Sequence, residues 1–255
     1  MRTFATAQAT GLRSFQCDAT AVRTAPSGAR AFALLDGIGD RESVRDWTRT
    51  AARRLARAAS RRADAEAGLR HIYADYAADP DRHDPEVARW MPSAAAVVAV
   101  HVPGEPLRVA WCGDARAYLL RRGIVRRLTE DHNARRVYPP NAQYPQGGNR
   151  NRITSYLGRV LTDEEAVAAY DHPAIETASV TLDGPCRLAL LSDGAYEPHL
   201  EDGNDLYVEL EHDPIRQVAT EFVDLAVETS IRQSKAEDPA WPYADNATVL
   251  LADFG

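Results

Sequence analysis

The chain has 255 residues, 45% of them hydrophobic, and a formal net charge of -7 at pH 7. This length can bury a sizeable core, and we predict one domain over residues 1–255. The acidic balance argues against a general nucleic-acid-binding protein. Three widely spaced cysteines without a CxxC pair predict neither a disulfide framework nor a zinc site. No apolar run is long enough to span a membrane or to form a signal peptide, so we expect a cytoplasmic protein.

In the first part of the chain, apolar periodicity predicts three strands followed by two helices. Strands are expected at residues 3–9 and 19–24 and in the buried apolar run at 32–35. Two amphipathic helices follow, from residue 41 to about 60 and from 65 to 79, with apolar residues three and four positions apart. Their outer faces are rich in arginine but lack interleaved aromatic residues, so we interpret them as solvated surface.

The remainder of the chain predicts mainly short strands. Breaks that contain glycine or proline separate four β-type runs between residues 93 and 129, which indicates an antiparallel meander. Residues 131–152 are polar and rich in proline and glycine, and a loop of this length inside a compact domain is often functional. The remaining strands are expected at residues 178–182, 186–191 and 247–254. An amphipathic helix is expected at residues 215–226, before the last strand. We therefore expect two packed antiparallel sheets with helices outside.

Four aspartates stand at the ends of predicted strands, namely Asp36, Asp114, Asp193 and Asp245. Asp36 and Asp193 each follow an apolar run closely and precede a glycine, which permits backbone angles that other residues avoid. A single Asp-Gly after an apolar run usually marks a turn. Because the same pattern recurs, we predict that these carboxylates form one site.

Carboxylates and backbone carbonyls are hard oxygen ligands, which suit Mg²⁺ or Mn²⁺ better than zinc or copper. Two such ions can share and deprotonate a water, which then attacks phosphorus in line while the ions neutralise the developing charge. The acidic strand ends therefore predict phosphoester hydrolysis. A glycosidase with paired carboxylates is a weaker alternative, because those enzymes do not need a glycine beside each acid.

Five segments carry a family resemblance: AFALLDGIGD, VAWCGDARAYLLRRGIVRRLTEDHN, ITSYLG, LALLSDGAYE and DNATVLLADF. In this order and at these intervals they resemble the metal-dependent protein phosphatase family, also called protein phosphatase type 2C, in its bacterial form. The match spans almost the whole chain. A single Asp-Gly would be weak evidence for the family, but the block GDARAYLLRRG…LTEDH together with SDG and the terminal DN is specific to it.

The resemblance implies an α+β fold, an αββα four-layer sandwich in which two antiparallel β-sheets are flanked by helices. It also implies two Mn²⁺ or Mg²⁺ ions and hydrolysis of phosphoserine and phosphothreonine in proteins by attack of a metal-bridging water. By position, Asp36 would bridge both ions and the Gly37 carbonyl would bind one. Asp193 and Asp245 would complete the protein ligands, and Arg13 lies where the family places its phosphate-binding arginine.

The same resemblance implies further positions and partners. Asp114, Asp193 and Glu197 match the positions that hold a weaker third ion in related enzymes. Residues 133–152 overlap a mobile flap near the site. The expected partner is a phosphorylated protein, with a serine/threonine kinase or one of its targets as a candidate, and neither a nucleic-acid partner nor a membrane span is expected.

The chain departs from the family pattern near the site. Cys17-Asp18 stands where the family usually has Glu-Asp, so one acceptor for a metal-bound water is lost and Asp18 is kept. We therefore predict a slow enzyme that needs high Mn²⁺ and gains activity on Cys17→Glu. Three further positions differ from the pattern, namely Asp40, Ala115 and Glu197. Ile38 replaces the histidine general acid of some members, so water is expected to protonate the leaving group.

Two functional classes stay open. One is an active phosphatase; the other is a pseudophosphatase that has lost turnover and serves as a protein-interaction module, which Cys17 would suit. Retention of the four expected metal ligands favours activity, because a degenerate site would lose ligands first. His132 has the chemistry of a general acid, but the family pattern favours a structural role for it.

Overall fold

The computed structural model describes residues 4–255, so the first residue of the strand predicted at 3–9 lies outside the described residues. Ten strands of the described chain form two five-stranded antiparallel sheets. The first sheet has the order β1 (Phe4–Ala9), β10 (Ala247–Phe254), β9 (Cys186–Leu191), β6 (Arg116–Arg121) and β7 (Ile124–Arg127). The second has the order β2 (Ala19–Thr24), β3 (Arg30–Gly37), β4 (Ala94–His101), β5 (Leu107–Cys112) and β8 (Glu176–Val180).

Eight α-helices occur in the described residues. They are α1 (Glu42–Arg62), α2 (Ala65–Ala77), α3 (Pro85–Ala88), α4 (Ala134–Val137), α5 (Asp163–Tyr170), α6 (Asp193–Glu201), α7 (Leu206–Leu210) and α8 (Ile215–Glu237). The predicted helices correspond to α1, α2 and α8. The first helix ends where Ala63 takes a left-handed conformation, and the second begins where the Asp64 side chain accepts a hydrogen bond from the Ala67 N–H at 2.8 Å.

Three apolar clusters define four layers. The first lies between the second sheet and helices α1 and α2, and includes Leu35, Leu55 and Leu69. The second lies between the first sheet and helices α6 and α8, and includes Leu191, Phe222 and Val249. The third fills the space between the sheets and includes Phe32, Val97, Leu188 and Leu250. This arrangement is the αββα sandwich, so the predicted fold class is confirmed.

The predicted antiparallel meander between residues 93 and 129 is wrong in its topology. Strands β4 and β5 pair in the second sheet, whereas β6 and β7 pair in the first. The chain crosses between sheets at Gly113, which has φ +114° and lies against Ala95 so closely that a Cβ would come within 2.3 Å of the Ala95 side chain. The short apolar runs identified the strands, but periodicity carries no information on which sheet each strand joins.

Candidate metal centre

The alternation of β3 places Asp36 between the two sheets, at one end of the sandwich. Ala33 and Leu35 pack toward α1 and α2, whereas Phe32 and Leu34 pack into the core between the sheets. Because side chains along a strand alternate between its two faces, Asp36 takes the inward position that follows Leu34. The apolar run therefore places the Asp36 carboxylate at the end of the core between the two sheets.

Asp18 lies beside Asp36. It directly precedes β2, whose pairing with β3 brings the two carboxylates close enough to interact electrostatically. Asp18 is 2% exposed, and its Oδ2 has no hydrogen-bond partner among the described residues. Burial, and then the charge of Asp193, raises the pKa of Asp18 to about 8, although hydrogen bonds from Thr248 and Ser192 oppose the shift.

Asp193 enters from the other sheet, at the first position of the nine-residue helix α6. Its main-chain N–H donates to Asp36 Oδ2 at 3.4 Å, so two of the predicted ligands meet across the sandwich. The Gly194 N–H donates to Asp193 Oδ1 at 2.6 Å. Only glycine fits at this position, because a Cβ on Gly194 would lie 2.3 Å from the carbonyl oxygen of Asn246. The helix N-terminus also favours negative charge.

The loop between β1 and β2 packs directly on Gly37. A Cβ on Gly37 would lie 2.4 Å from the Cys17 carbonyl oxygen, so glycine is required here too. Asn246 fastens this loop: its Oδ1 accepts from the Cys17 N–H at 2.7 Å, and its Nδ2 donates to the carbonyls of Thr10 and Phe15 at 2.9 and 3.0 Å. The sequence placed Asn246 beside a candidate ligand but gave no sign of this bracing role.

Arg13 and Asp245 form a bidentate ion pair. Arg13 Nε donates to Asp245 Oδ1 at 2.9 Å, and Nη2 donates to Oδ2 at 2.6 Å. The Tyr243 hydroxyl donates to the same Oδ2 at 2.7 Å and contacts Arg13 Nη2, and its ring centre lies 5.0 Å from the guanidinium carbon. Tyr243 could not be recognised from the sequence, because no motif marks a tyrosine two residues before the aspartate. The predicted arginine is nevertheless brought to the acidic site.

Asp114 and Glu197 extend the acidic cluster around Asp193. Asp114 is 6% exposed, and its main-chain carbonyl accepts from the Tyr196 hydroxyl at 3.1 Å. Glu197 follows Asp193 by about one turn of α6 and pairs with Arg150 at 3.2 Å. Burial and the charge of Asp193 raise the pKa of Glu197 to about 7. Arg150 comes from the long polar loop that the sequence marked as functional.

The carboxylates of the cluster lie close together, with Asp114 buried and Asp36 and Asp193 half-buried. Burial is the main cause that raises the pKa of Asp36, Asp114 and Asp193, and repulsion by neighbouring aspartates is the next cause for each. Asp245, at the edge of the cluster, forms an ion pair with Arg13. A divalent cation would offset both effects, since it would replace lost hydration and neutralise the repelling charges.

The donor set fits Mn²⁺ or Mg²⁺. Within residues 4–255, no group of three or more Asp, Glu, His or Cys side chains is arranged so that it could hold a metal ion by itself. An ion that keeps several waters and takes only one or two carboxylates needs no such cage. The unpartnered Asp18 Oδ2 is suited to accept a hydrogen bond from a water of this kind. The residues present therefore suit hydrated divalent ions rather than a dehydrated, all-protein site.

Cys17 and Asp40 have surroundings that the family pattern does not indicate. The Cys17 thiol is buried and donates to the Arg41 carbonyl at 3.6 Å, so its hydrogen bond lies outside the acidic cluster. Asp40 accepts from the N–H groups of Ser14 and Phe15 at 2.9 and 2.8 Å. Burial would raise the pKa of Asp40, but these hydrogen bonds outweigh it and lower the pKa. Asp40 thus fixes the loop between β1 and β2.

His132 lies apart from the cluster and holds its surroundings in place. Its Nδ1 accepts from the Gly113 N–H at 3.4 Å, so Nε2 carries the proton and donates to Glu176 at 2.9 Å. The ring is fully buried and stacks on His172 at 4.2 Å. His132 therefore fastens the turn before Asp114 to β8, which is a structural role.

A cavity of about 480 Å³ opens over the acidic cluster. Its lining includes Arg150, Asp193, Glu197, Tyr243 and Asp245, and α8 forms one wall. A second cavity of about 470 Å³ shares Arg150, Glu197 and Glu201 with it. The charged groups are therefore accessible from solvent and could receive an extended chain rather than only a small ion.

The chain is similar to known protein phosphatases in both sequence and fold. The family model for protein phosphatase 2C matches residues 10–137. A serine/threonine phosphatase from S. agalactiae has a TM-score of 0.74 and 16% identity, with 97% of each chain covered. The phosphatase MsPP from Mycobacterium smegmatis, solved with cacodylate, has a TM-score of 0.68 and 20% identity, with 99% of this chain and 98% of that chain covered. The catalytic domain of PstP, solved with 2 manganese ions, has a TM-score of 0.62 and 19% identity, with 99% and 98% covered.

The αββα sandwich with acidic strand ends, together with the match to the family model, identifies a metal-dependent protein phosphatase. Because the family model matches half of its length, the chain belongs to the protein phosphatase 2C family. Its activity is that of a metal-dependent protein serine/threonine phosphatase, with Mn²⁺ or Mg²⁺ as cofactor. The predicted family and activity class are confirmed, and the pseudophosphatase alternative gains no support.

No match was found among curated protein sequences. In residues 4–255, none of the helices combines the length and the apolar character that a bilayer crossing requires.

Proposed function

We propose that the chain hydrolyses phosphoserine and phosphothreonine in protein substrates with Asp36, Gly37, Asp193 and Asp245 as metal ligands and Arg13 as the phosphate-binding residue. The observation that carries these assignments is the meeting of half-buried carboxylates from both sheets, with the Asp193 main-chain nitrogen 3.4 Å from Asp36 Oδ2. Without a cation such a group favours protonated carboxyls, as the raised pKa values of Asp36 and Asp193 indicate, so a bound cation would stabilise the charged forms.

Asp36 and Asp193 would hold the ions between the sheets, since each stands at the inner end of a strand or the start of a helix. The Gly37 carbonyl would join them, because the close packing of Gly37 on the β1–β2 loop fixes its peptide. When bound, Mn²⁺ or Mg²⁺ supplies an activated water and neutralises the charge that develops on the phosphate. Asp18 would orient water through its free Oδ2.

Arg13 is built to recognise a phosphate. Its fork currently holds both oxygens of Asp245, and two oxygens of a phosphate present the same bidentate pair of acceptors. Asp245 would exchange Arg13 for an ion, which frees the guanidinium for substrate. Tyr243 would keep the guanidinium oriented, since it contacts both members of the pair.

Water completes the reaction. Ile38, which follows Gly37, is 40% exposed and has no proton to transfer. The cavity over Asp193 admits solvent, so water would protonate the departing serine or threonine oxygen. A third, weaker ion would be held by Asp114, Asp193 and Glu197, which share one acidic neighbourhood.

The partner we propose is a phosphorylated protein, such as a serine/threonine kinase or one of its targets, and the proposed location is the cytoplasm. We also propose that residues 1–255 act as one domain. The pairing of β1 with β10, which come from distant parts of the chain, supports this proposal.

Hydrolysis of p-nitrophenyl phosphate and of a phosphothreonine peptide, with Mn²⁺, Mg²⁺ or EDTA, tests the function. We expect turnover of both substrates with either metal and none in EDTA. Asp36→Asn should abolish the metal-dependent rate while circular dichroism stays unchanged. Activity that survives EDTA, or a fully active Asp36→Asn variant, would overturn the site assignment.

A further inference from the structure

The exposed side of α1 concentrates positive charge. Residues 47–62 include six arginines and no acidic residue, in a chain whose net charge is -7. Nearer the start of the helix, Arg45 is neutralised by Glu42 and Asp46, at 2.8 Å each. The later part of the helix therefore presents a local positive field on an otherwise acidic protein.

Part of this field lines a groove of about 660 Å³ between α1 and β2. Four exposed arginines contribute to its walls, namely Arg23, Arg53, Arg54 and Arg57, and no acidic residue does. Arg54 pairs with Asp75 at 2.8 Å. Within residues 4–255, the other three arginines of the groove form no ion pair with a carboxylate, so their charge is available to a ligand.

The groove runs along a free sheet edge. β2 is the outermost strand of the second sheet and pairs with β3 on one side only. Its residues 20–23 line the groove and are partly or fully exposed. An edge strand of this kind presents unpaired N–H and C=O groups that can accept another strand.

The spacing of the arginines suits an extended chain. Ala21 packs toward α1 while Val22 packs between the sheets, so Arg23 shares the helix side of β2 with Ala21. Arg53 and Arg57 are one helical turn apart, about 5 Å along the axis. Side chains at alternate positions of a strand are about 7 Å apart and lie on one face. Alternate side chains of an added strand could therefore each reach one arginine.

We propose that this groove binds an extended segment of a partner protein that carries acidic residues at alternate positions and pairs with β2 as a sixth strand. Main-chain hydrogen bonds to β2 would supply affinity, and the carboxylates at Arg23, Arg53 and Arg57 would set the register. None of these residues belongs to the metal centre, so the proposal stands apart from the catalytic assignments. The competing explanation is that the arginines only protect the edge from self-association.

The direct test is fluorescence anisotropy of the full chain with a labelled ten-residue peptide of alternating glutamate and threonine. A peptide of the same composition with its glutamates in one block, and an alternating peptide with N-methylated amides on one edge, serve as peptide controls. We expect saturable binding of the alternating peptide, at least about tenfold weaker binding of both controls, and weakening at high salt. Hydrogen exchange should show new protection of amides in residues 20–24.

The variant Arg23→Gln/Arg53→Gln/Arg57→Gln should weaken binding of the alternating peptide by about tenfold, as expected for three exposed ion pairs. These side chains are exposed, so the melting temperature should not change. A matched variant with the same change in charge at exposed positions elsewhere, Arg122→Gln/Arg126→Gln/Arg216→Gln, should bind like the unmodified chain.

Several results would overturn the proposal. One is no binding, or equal binding of all three peptides. A second is unchanged peptide binding by the groove variant together with its self-association in sedimentation, which would assign the arginines to edge protection. A third is tighter binding of duplex DNA or of anionic phosphatidylserine vesicles that depends on the same three arginines.

Discussion

Arg13 and Asp245 hold each other through two hydrogen bonds, Nε to Oδ1 at 2.9 Å and Nη2 to Oδ2 at 2.6 Å. One residue is the proposed phosphate ligand and the other a proposed metal ligand. Both side chains are about one-third exposed, at 30% and 32%, so the pair can separate without opening the core. Binding of an ion at Asp245 and binding of phosphate at Arg13 should therefore favour each other.

Replacement of Arg13 tests this coupling. Arg13→Ala should raise the KM for a phosphopeptide by about 10- to 100-fold, the range expected for loss of charge-assisted hydrogen bonds. Because Asp245 then loses a competitor, the Mn²⁺ concentration for half-maximal activity should not rise and is expected to fall. Steady-state kinetics across a Mn²⁺ series measures both quantities. An unchanged KM would remove Arg13 from the phosphate site.

Arg13→Lys is the matched control. Lysine keeps the charge near Asp245 but lacks the planar fork. We expect its KM to lie between those of the unmodified chain and Arg13→Ala. If the lysine variant matched the unmodified enzyme, charge alone would explain the effect and bidentate recognition would be wrong.

Tyr243→Phe removes the hydroxyl that bridges Arg13 and Asp245 but keeps the ring beside the guanidinium. Loss of one hydrogen bond to a charged group predicts a KM increase of about tenfold, with a smaller effect on kcat. Tyr144→Phe, at an exposed tyrosine of the long polar loop, provides the control and should have normal kinetics. A Tyr243→Phe enzyme with normal KM would show that the hydroxyl has no part in orienting Arg13.

The convergence of the acidic strand ends could be predicted from the sequence, for a physical reason. Strand alternation is a local property, so the apolar run before Asp36 was sufficient to place a carboxylate at the end of the inner core. The contributions of Asn246, Asp40 and Tyr243 could not be predicted, because each depends on a loop that comes near only after the sheets have formed. The choice of sheet for β6 escaped prediction for the same reason.

Asp36→Asn should affect stability as well as turnover. The carboxylate is half-buried beside other aspartates, and its neutral replacement removes a group that they repel in the metal-free protein. We therefore expect the melting temperature in EDTA to stay equal or rise, while the increase in melting temperature on adding Mn²⁺ shrinks. Activity should fall by more than about 100-fold, the upper end for loss of an outer metal-site partner. A full Mn²⁺-induced stabilisation in this variant would contradict the ligand role of Asp36.

Cys17→Glu distinguishes two predictions, one based on the sequence and one based on the structure. The sequence predicts a gain in activity, but the structure aims the buried Cys17 side chain at the Arg41 carbonyl. A carboxylate there would be buried facing another acceptor, so we expect the melting temperature to fall by about 5 °C or more and activity not to rise. Cys17→Ser, which can donate to the same carbonyl, should be tolerated. A stable Cys17→Glu enzyme that needs less Mn²⁺ would restore the original prediction.

The lowered pKa of His132 predicts how the free energy of unfolding depends on pH. Burial is the main cause that lowers its pKa from the ordinary value of 6.5 to about 4, although the hydrogen bond to Glu176 opposes the shift. Protonation is unfavourable because Nδ1 already accepts from the Gly113 N–H and has no acceptor for an added proton. Between pH 6.5 and about pH 4, His132 is protonated in the unfolded chain but stays neutral in the folded chain.

The stabilisation from neutral His132 is therefore fully present above pH 6.5 and is lost as the pH falls toward 4. The difference between the two pKa values corresponds to on the order of 3 kcal/mol of unfolding free energy. His132→Gln keeps a side-chain donor for Glu176 but cannot titrate, so its unfolding free energy in EDTA should depend less on pH between 4 and 6.5. Denaturant titrations at several pH values measure this slope, with His212→Gln, at an exposed histidine, as the control. Equal slopes for His132→Gln and the unmodified chain would show that folding does not lower the pKa of His132.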